Sequence, residues 1–235
     1  YWQKIRLNRV TLAEPLPNPP VQVGHVNTDA IAAQLGVLLL LFERTEAAKQ
    51  SWDAAIALNP NNTMALVGLG DLHKLAGRFD EARPYYEKAI AIEPEDAHAE
   101  LNYAEYFLAR AAADGAGSDE IAADLDNARS HFARSFELDP DDPETLAMNG
   151  STYLFPRQPV GTALPLLTAS HEMLPSQPDI KLLLATAYIK AGDVATAMRL
   201  LRSIVATGHG RSAKAADGLL QRLVGAQRSQ RDSSA

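Results

Sequence analysis

The residues that could carry out catalysis or bind a metal ion are few, and their spacing fits no established chemistry. The sequence contains no cysteine, which excludes thiolate zinc sites, iron–sulfur clusters, disulfides and cysteine nucleophiles. None of its six histidines has a second histidine four positions along the chain, as a zinc-binding helix requires. His171-Glu172 begins such a motif, but the next residues are Met-Leu-Pro. We therefore expect no metal, no cofactor and no active site, so that this chain is not an enzyme.

Two weaker motifs have ordinary structural explanations. Residues 208–213 match the letters of a dinucleotide-binding fingerprint, but a helical pattern rather than a strand precedes them. The carboxylates at 141–142 come directly before Pro143, where a helix N-cap is expected. Gly77 and Gly192 stand in short turns that need a positive φ angle. These residues are expected to begin and end helices rather than to do chemistry.

Composition and charge exclude two classes of partner. The 235 residues are 46% hydrophobic and 22% charged, which is ordinary for a globular chain. Residues 27–201 hold 13 basic side chains against 26 acidic ones, and so acidic a body is unsuited to nucleic acid. The longest apolar run, residues 36–42, is far shorter than the ~20 residues of a membrane helix. We expect no nucleic-acid partner and no membrane span in these residues.

An internal repeat organises the chain. Leu35-Gly36, Trp52 and Pro60 recur 34 residues later as Leu69-Gly70, Tyr86 and Pro94, and apolar spacings of three and four indicate helices. Small residues recur where two helices must approach closely, and bulky residues recur where a second helix packs against its neighbours. The small residues are Gly36, Gly70, Ala104, Gly150 and Ala185, and the bulky ones are Trp52, Tyr86, Phe132 and Leu201.

This pattern resembles the tetratricopeptide repeat (TPR), a helix–turn–helix unit, and residues 65–94 look like a near-consensus copy. The resemblance implies an all-α fold, a right-handed superhelical solenoid of antiparallel helix pairs. An extended, non-helical arm with a proline-rich linker is expected over residues 1–28 and a capping helix over 211–227, followed by a disordered tail over 228–235. The five repeats are expected at residues 29–62, 63–96, 97–142, 143–177 and 178–210.

Two segments depart from the repeat. Residues 109–125 contain a 12-residue insertion whose alanine-rich flanks favour helix, so we expect both helices of the third hairpin to be about six residues longer. Residues 1–12 alternate apolar with basic or polar side chains after Lys4, which is typical of an extended strand. This arm is either a linker from an upstream domain or an element that packs on the first hairpin, in the same molecule or by self-association across a dimer. The apolar run from Val37 to Phe42 needs such a cover.

The resemblance also implies that a partner binds in the concave groove lined by the first helix of each hairpin. The repeat register places these residues there: Val37, Leu40, Leu41, Met64, Val67, Asp71, Lys74, Leu101, Glu105, Ser151, Leu182 and Thr186, with Leu75 beside them. The Lys and Asn clamp by which some TPR proteins hold chaperone tails is missing. The apolar members could equally pack within their own hairpins.

We therefore expect a non-catalytic interaction scaffold that binds a protein or peptide. Two alternatives remain: the docking or regulatory region of a larger bacterial enzyme, for example one with a peptidase-like domain upstream of Tyr1, or a periplasmic assembly factor. Because the sequence begins at Tyr1 rather than Met, we expect a piece of a longer protein. Both the cytoplasm and the bacterial periplasm stay open as its compartment.

Overall fold

The computed structural model describes residues 28–113, 115, 117–207 and 210–232, and every regular element in these ranges is an α-helix. The predicted all-α class is confirmed. The predicted arm at residues 1–27 and residues 233–235 of the predicted tail lie outside the described residues. The helices are α1 (Thr28–Leu41), α2 (Thr45–Leu58), α3 (Thr63–Leu75), α4 (Phe79–Ile92), α5 (Ala97–Ala111), α6 (Ser118–Leu138), α7 (Pro143–Thr152), α8 (Val160–Met173), α9 (Pro178–Ala191), α10 (Val194–Thr207) and α11 (Arg211–Asp232).

The helices group into two compact units. The N-terminal unit contains α1–α4 and ends at Pro94, and the C-terminal unit contains α5–α11 and begins at Glu95. In both units, successive helices pack against each other as antiparallel hairpins.

The structure confirms the capping residues that the sequence predicted at several helix ends. The Asp142 carboxylate accepts hydrogen bonds from the backbone N–H groups of Glu144 and Thr145, and Pro143 follows it in the first turn of α7. Gly192 ends α9 with φ at 86°, and Gly77 follows α3 with φ at 71°, both conformations that favour glycine. Local sequence therefore sets where these helices begin and end.

Trp52 is the centre of the N-terminal core. Its side chain is 1% exposed, and the indole Nε1 donates a hydrogen bond to the Ala33 carbonyl oxygen at 3.0 Å. A Cβ atom added at Gly36 or Gly68 would come within 2.5 or 2.3 Å of the indole ring. The predicted close approach at Gly36 is confirmed, and Gly68 on α3 is a second one. The same holds at Gly70, where a Cβ would lie 2.9 Å from the Tyr86 ring.

Two apolar clusters connect the last five helices of the C-terminal unit. One joins α7, α8 and α9, and the other joins α9, α10 and α11. The first contains Ala147, Ala163, Leu167, Ile180, Leu184 and Ala187, and the second contains Ala185, Leu201, Ile204 and Ala216. α11 thus covers the apolar side of α10, as a capping helix must.

The insertion in the third hairpin lengthens one helix rather than two, and the prediction of equal extension is wrong. α6 has 21 residues against 14 in α4, whereas α5 has 15 against 13 in α3. Gly115, with φ at 92°, lies in the loop that stops α5 from continuing. α6 begins early because the Glu120 carboxylate accepts a hydrogen bond from the Gly117 N–H and two acidic residues occupy its first turn.

α11 is longer than expected, since it continues to Asp232 and not to 227. Residues 228–232, placed by the sequence in a disordered tail, are helical. No glycine or proline follows Gly225, and arginine and glutamine, which recur in this stretch, are residues of high helix propensity.

Candidate partner-binding surface

The first half of the predicted groove residues lie on α1 and α3. Val37 and Leu40 on α1 are half-buried and pack against the core cluster around Trp52, and Leu41 is half-buried as well. On α3, Met64 is 42% exposed, whereas Val67 is only 3% exposed. Val67 is therefore part of the core of this unit and could reach a partner only after a rearrangement.

The polar residues of this face form a network of their own. Asp71 accepts a hydrogen bond from the Tyr86 hydroxyl at 2.7 Å, and the Lys74 ammonium lies 2.8 Å from the same carboxylate. Leu75, one residue beyond, is 70% exposed. The face thus presents two accessible apolar side chains, Met64 and Leu75, with a paired carboxylate and ammonium between them.

The remaining groove residues lie in the C-terminal unit and are half-buried. Leu101 and Glu105 are on α5. The Ser151 hydroxyl donates to the Met148 carbonyl oxygen at 2.6 Å, and the Thr186 hydroxyl donates to the Leu182 carbonyl oxygen at 2.8 Å.

Leu182 packs against the cluster formed by α10 and α11. It therefore contributes to helix packing rather than to an open surface. It is half-buried, as Val37 and Leu40 are, whereas Val67 is buried.

A set of exposed apolar side chains on α1 and the residue directly after it was not among the predicted groove residues. Ile31, Leu35, Leu38 and Phe42 are 43%, 38%, 50% and 55% exposed, and their spacing of four, three and four places them on one helix face. We call these four residues the α1 stripe. The repeat register contained a signal for it, because the positions 34 residues later in the first three cases are Ala65, Leu69 and Leu72, which are buried.

Hydrogen bonds fix the first turn of α1. The Asp29 carboxylate accepts from the Asn59 side chain at 2.8 Å and from the Asn62 side chain at 3.0 Å, and these bonds lower its pKa. Because Asn59 and Asn62 belong to the connection between α2 and α3, this carboxylate ties three elements together.

A buried polar cluster joins α5 to α6. The Arg110 guanidinium hydrogen-bonds the Asp124 carboxylate, which is 2% exposed, and this bond raises the pKa of Arg110. His131 Nδ1 lies 2.6 Å from the Glu100 carboxylate and its ring stacks on Phe107. Each group is paired within the hairpin, so the cluster holds the two helices together. Across the described ranges, no three His, Asp or Glu side chains could hold a metal ion together.

One histidine stands apart from these pairs. His171 on α8 has a buried Nδ1 with no hydrogen-bond partner among the described residues. Burial lowers its pKa, and the positive charge of Lys181 adds to that effect. None of the helices that the structure describes is apolar enough over a sufficient length to cross a membrane.

Comparison with known proteins assigns the family. Two tetratricopeptide repeat profiles match residues 34–97 and 160–223. Cellulose synthase operon protein C of Komagataeibacter xylinus is 32% identical over 96 residues, which are 41% of this chain and only 7% of that protein. The chain therefore aligns with a small part of this curated relative.

Two solved structures share the fold. A thermophilic TPR protein of Thermus thermophilus superposes with a TM-score of 0.69 at 18% identity, over 83% of this chain and 98% of that one. YrrB, described as a TPR protein with an unusual peptide-binding site, superposes with a TM-score of 0.52 at 18% identity, over 76% and 86%. With the repeat profiles and the helix pairs described above, the chain belongs to the tetratricopeptide repeat family.

Proposed function

We propose that this chain is an interaction scaffold that binds a segment of a partner protein on the inner face of its N-terminal unit. TPR folds are typically non-catalytic and typically bind proteins or peptides. The observation that supports this location is the exposure of Met64 and Leu75 on α3, on either side of the Asp71–Lys74 pair. The peptide-binding site attributed to the structural neighbour YrrB is consistent with such a role.

The side chains of this face of α3 indicate which kind of peptide would fit. Methionine is flexible and polarisable, so it adapts to apolar side chains of different shape. Met64 and Leu75 are separated by about 16 Å along α3, at ~1.5 Å per residue. An extended ligand spans that distance with about five residues at ~3.3 Å each. We infer a peptide with two apolar side chains about five positions apart and polar groups between them that contact Asp71 and Lys74.

Selection from a random peptide library displayed on phage, with the full chain as bait, tests this function. Met64→Glu and Leu75→Glu should each weaken binding of the selected peptides at least tenfold. Both side chains are exposed, so the fold should survive the change. Leu58→Glu is the matched control, because Leu58 is 60% exposed but lies on α2. The proposal would be overturned if all three variants bound the selected peptides as tightly as the parent chain, or if the control lost as much affinity as the other two.

We propose as a second candidate that the chain is a docking region within a longer protein related to cellulose synthase operon protein C. The 32% identity over 96 residues favours it. Exchanging the matched segment of the Komagataeibacter xylinus protein for that of this chain tests the idea. Cellulose output should be retained in the chimera, and output as low as in a strain lacking the segment would rule this candidate out.

A further inference from the structure

The α1 stripe occupies positions that serve as packing surfaces between hairpins elsewhere in the chain. Ala65, Leu69 and Leu72, the equivalents on α3, are buried in one cluster with Trp52 and Ala55 of the preceding helix α2. The equivalents on α9 behave in the same way. There Ile180, Leu184 and Ala187 are buried with Ala163 and Leu167 of the preceding helix α8.

On α1 the same positions lack such a cover, since no described element precedes this helix. On α3 and α9 the first three of these positions are buried, whereas the four side chains of the α1 stripe are 38–55% exposed. A helix face of a solenoid that no neighbour covers is normally polar. The α1 stripe is apolar at every one of its four positions, so it requires an occupant.

We propose that residues 1–12 of the same molecule lie along the α1 stripe. This inference does not depend on the proposed peptide-binding function, which concerns α3. Four partly exposed side chains offer on the order of 300 Å² of apolar surface, well below the ~800 Å² per partner of a standard specific interface. So small an area does not sustain a dimer, whereas a covalently tethered segment needs far less because tethering gives it an effective concentration in the millimolar range.

The composition of residues 1–12 matches the stripe. Trp2, Ile5, Leu7, Val10 and Leu12 supply apolar side chains. The stripe spans about 16 Å from Ile31 to Phe42 at helical rise, and an extended segment from Ile5 to Val10 covers a similar length at ~3.3 Å per residue.

Charge favours the same pairing. Residues 1–12 carry Lys4, Arg6 and Arg9 and no acidic residue. The only charged residue in α1 is Asp29, and Glu43 directly follows the stripe at the negative end of the helix dipole. Residues 13–27 form a connector of 15 residues, whose greatest length of about 45 Å at ~3.1 Å per residue exceeds the roughly 21 Å of α1, so chain length allows the segment to reach the stripe.

Disulfide trapping tests the contact directly, because the chain contains no other cysteine. In the full chain, Leu7→Cys combined with Leu35→Cys should form an intramolecular disulfide at least tenfold faster than Leu7→Cys combined with Gln50→Cys, because the middle of the segment lies beside the middle of the stripe in either chain direction. Gln50 is an exposed residue of α2 on the side opposite its buried face. Equal rates for the two pairs would overturn the proposal, and so would disulfides formed only between molecules, which would assign the stripe to a second copy.

A second measurement keeps the test independent of thiol chemistry. Replacing Ile5 and Val10 with serine should lower the melting temperature by about 3 °C or more, whereas Thr11→Ala should leave it unchanged. In a chain that already carries Leu38→Lys, the same two serine substitutions should change the melting temperature much less, because Leu38→Lys disrupts the surface that the segment covers. An unchanged melting temperature in the serine variant overturns the proposal.

Discussion

At the residue scale, the N-terminal core depends on the absence of side chains as much as on their presence. The Trp52 indole fits because Gly36 and Gly68 present bare backbone to it. Leu167 packs against the backbone of Gly150 in the same manner, because a Cβ added at Gly150 would lie only 2.8 Å from the Leu167 Cγ. Glycine in a helix interior is unfavourable by about 0.5–1 kcal/mol relative to alanine, so packing outweighs propensity at these sites.

Gly68→Ala should lower the free energy of unfolding by about 1–3 kcal/mol, because the new Cβ would overlap the Trp52 ring and force it to move. Urea denaturation measures the effect. Gly218→Ala in α11 is the matched control, since a Cβ there meets nothing within 4 Å. The control should be stabilised by about 0.5–1 kcal/mol through helix propensity alone. A Gly68→Ala variant as stable as the parent would contradict the packing described for Trp52.

His171 should make stability depend on pH. Its pKa is lower in the folded chain than in the unfolded chain, so the unfolded chain takes up the proton first as pH falls. Stability should therefore decrease as the pH falls below about 6.5, the ordinary pKa of histidine. His171→Gln removes the titrating ring and should show a smaller loss between pH 7.5 and pH 5. Urea titrations at the two pH values measure it, and identical losses in both proteins would refute this explanation.

At the element scale, one arginine organises the long connection between α7 and α8. The Arg129 guanidinium, on α6, donates to the Thr152 carbonyl oxygen at 3.2 Å and to the Gln158 side chain at 2.7 Å. It also lies 4.1 Å from the centre of the Tyr153 ring. One planar cation thus satisfies several groups in residues 152–158, where the fourth hairpin departs from the usual short turn.

Arg129→Lys should destabilise the protein nearly as much as Arg129→Ala, by about 1–3 kcal/mol. A lysine ammonium cannot reproduce the planar fork that reaches Thr152 and Gln158 together while stacking on Tyr153. Hydrogen exchange of residues 152–160 should increase in both variants. Arg134→Lys is the control, because Arg134 makes only an exposed ion pair with Glu137 within its own helix among the contacts described. If the lysine variant at 129 behaved like this control, the fork geometry would be irrelevant.

The helix pairs were predictable because each carries its own signals, whereas the features that depend on neighbouring elements were not. Proline and aspartate near 139–143 and glycine at 77 and 192 mark helix ends locally. The alanine-rich flanks of the insertion have similar helix propensity on both sides, so sequence alone predicted equal extension. The Arg110–Asp124 pair and buried Leu125 hold the added turns of α6.

The candidate surface was only partly predictable for the same reason. Helical period places Val67 and Met64 on one face of α3, yet one is buried and the other exposed, since burial depends on what packs beside them. α1 is apolar on nearly every side, so periodicity could not show which side faces solvent. Comparison with the positions of α3 that lie 34 residues later does distinguish the sides of α1, because it uses the packing of a second hairpin as a reference.

At the scale of the whole molecule, a repeat array must be closed at its ends, because every hairpin leaves an apolar side for its neighbour. α11 provides this closure in the C-terminal unit. Ala216 is fully buried, and Leu219, Leu220 and Leu223 pack against the cluster containing Leu201 and Ile204. These two α10 residues are 0% and 1% exposed, and both α9 and α11 pack beside them.

Deletion of residues 211–235 should therefore lower the melting temperature by several degrees and cause aggregation. Leu201 and Ile204 would become accessible to water, at a cost of roughly 1.5–3 kcal/mol for each large apolar side chain fully uncovered. At about 2–4 °C per kcal/mol for a chain of this size, differential scanning calorimetry resolves the change. Deletion of residues 228–235 is the matched control, because the packed leucines all precede it, and its melting temperature should stay within about 1 °C. If the two deletions melt alike, α11 does not close the array, and the apolar side of α10 is stable in water without it.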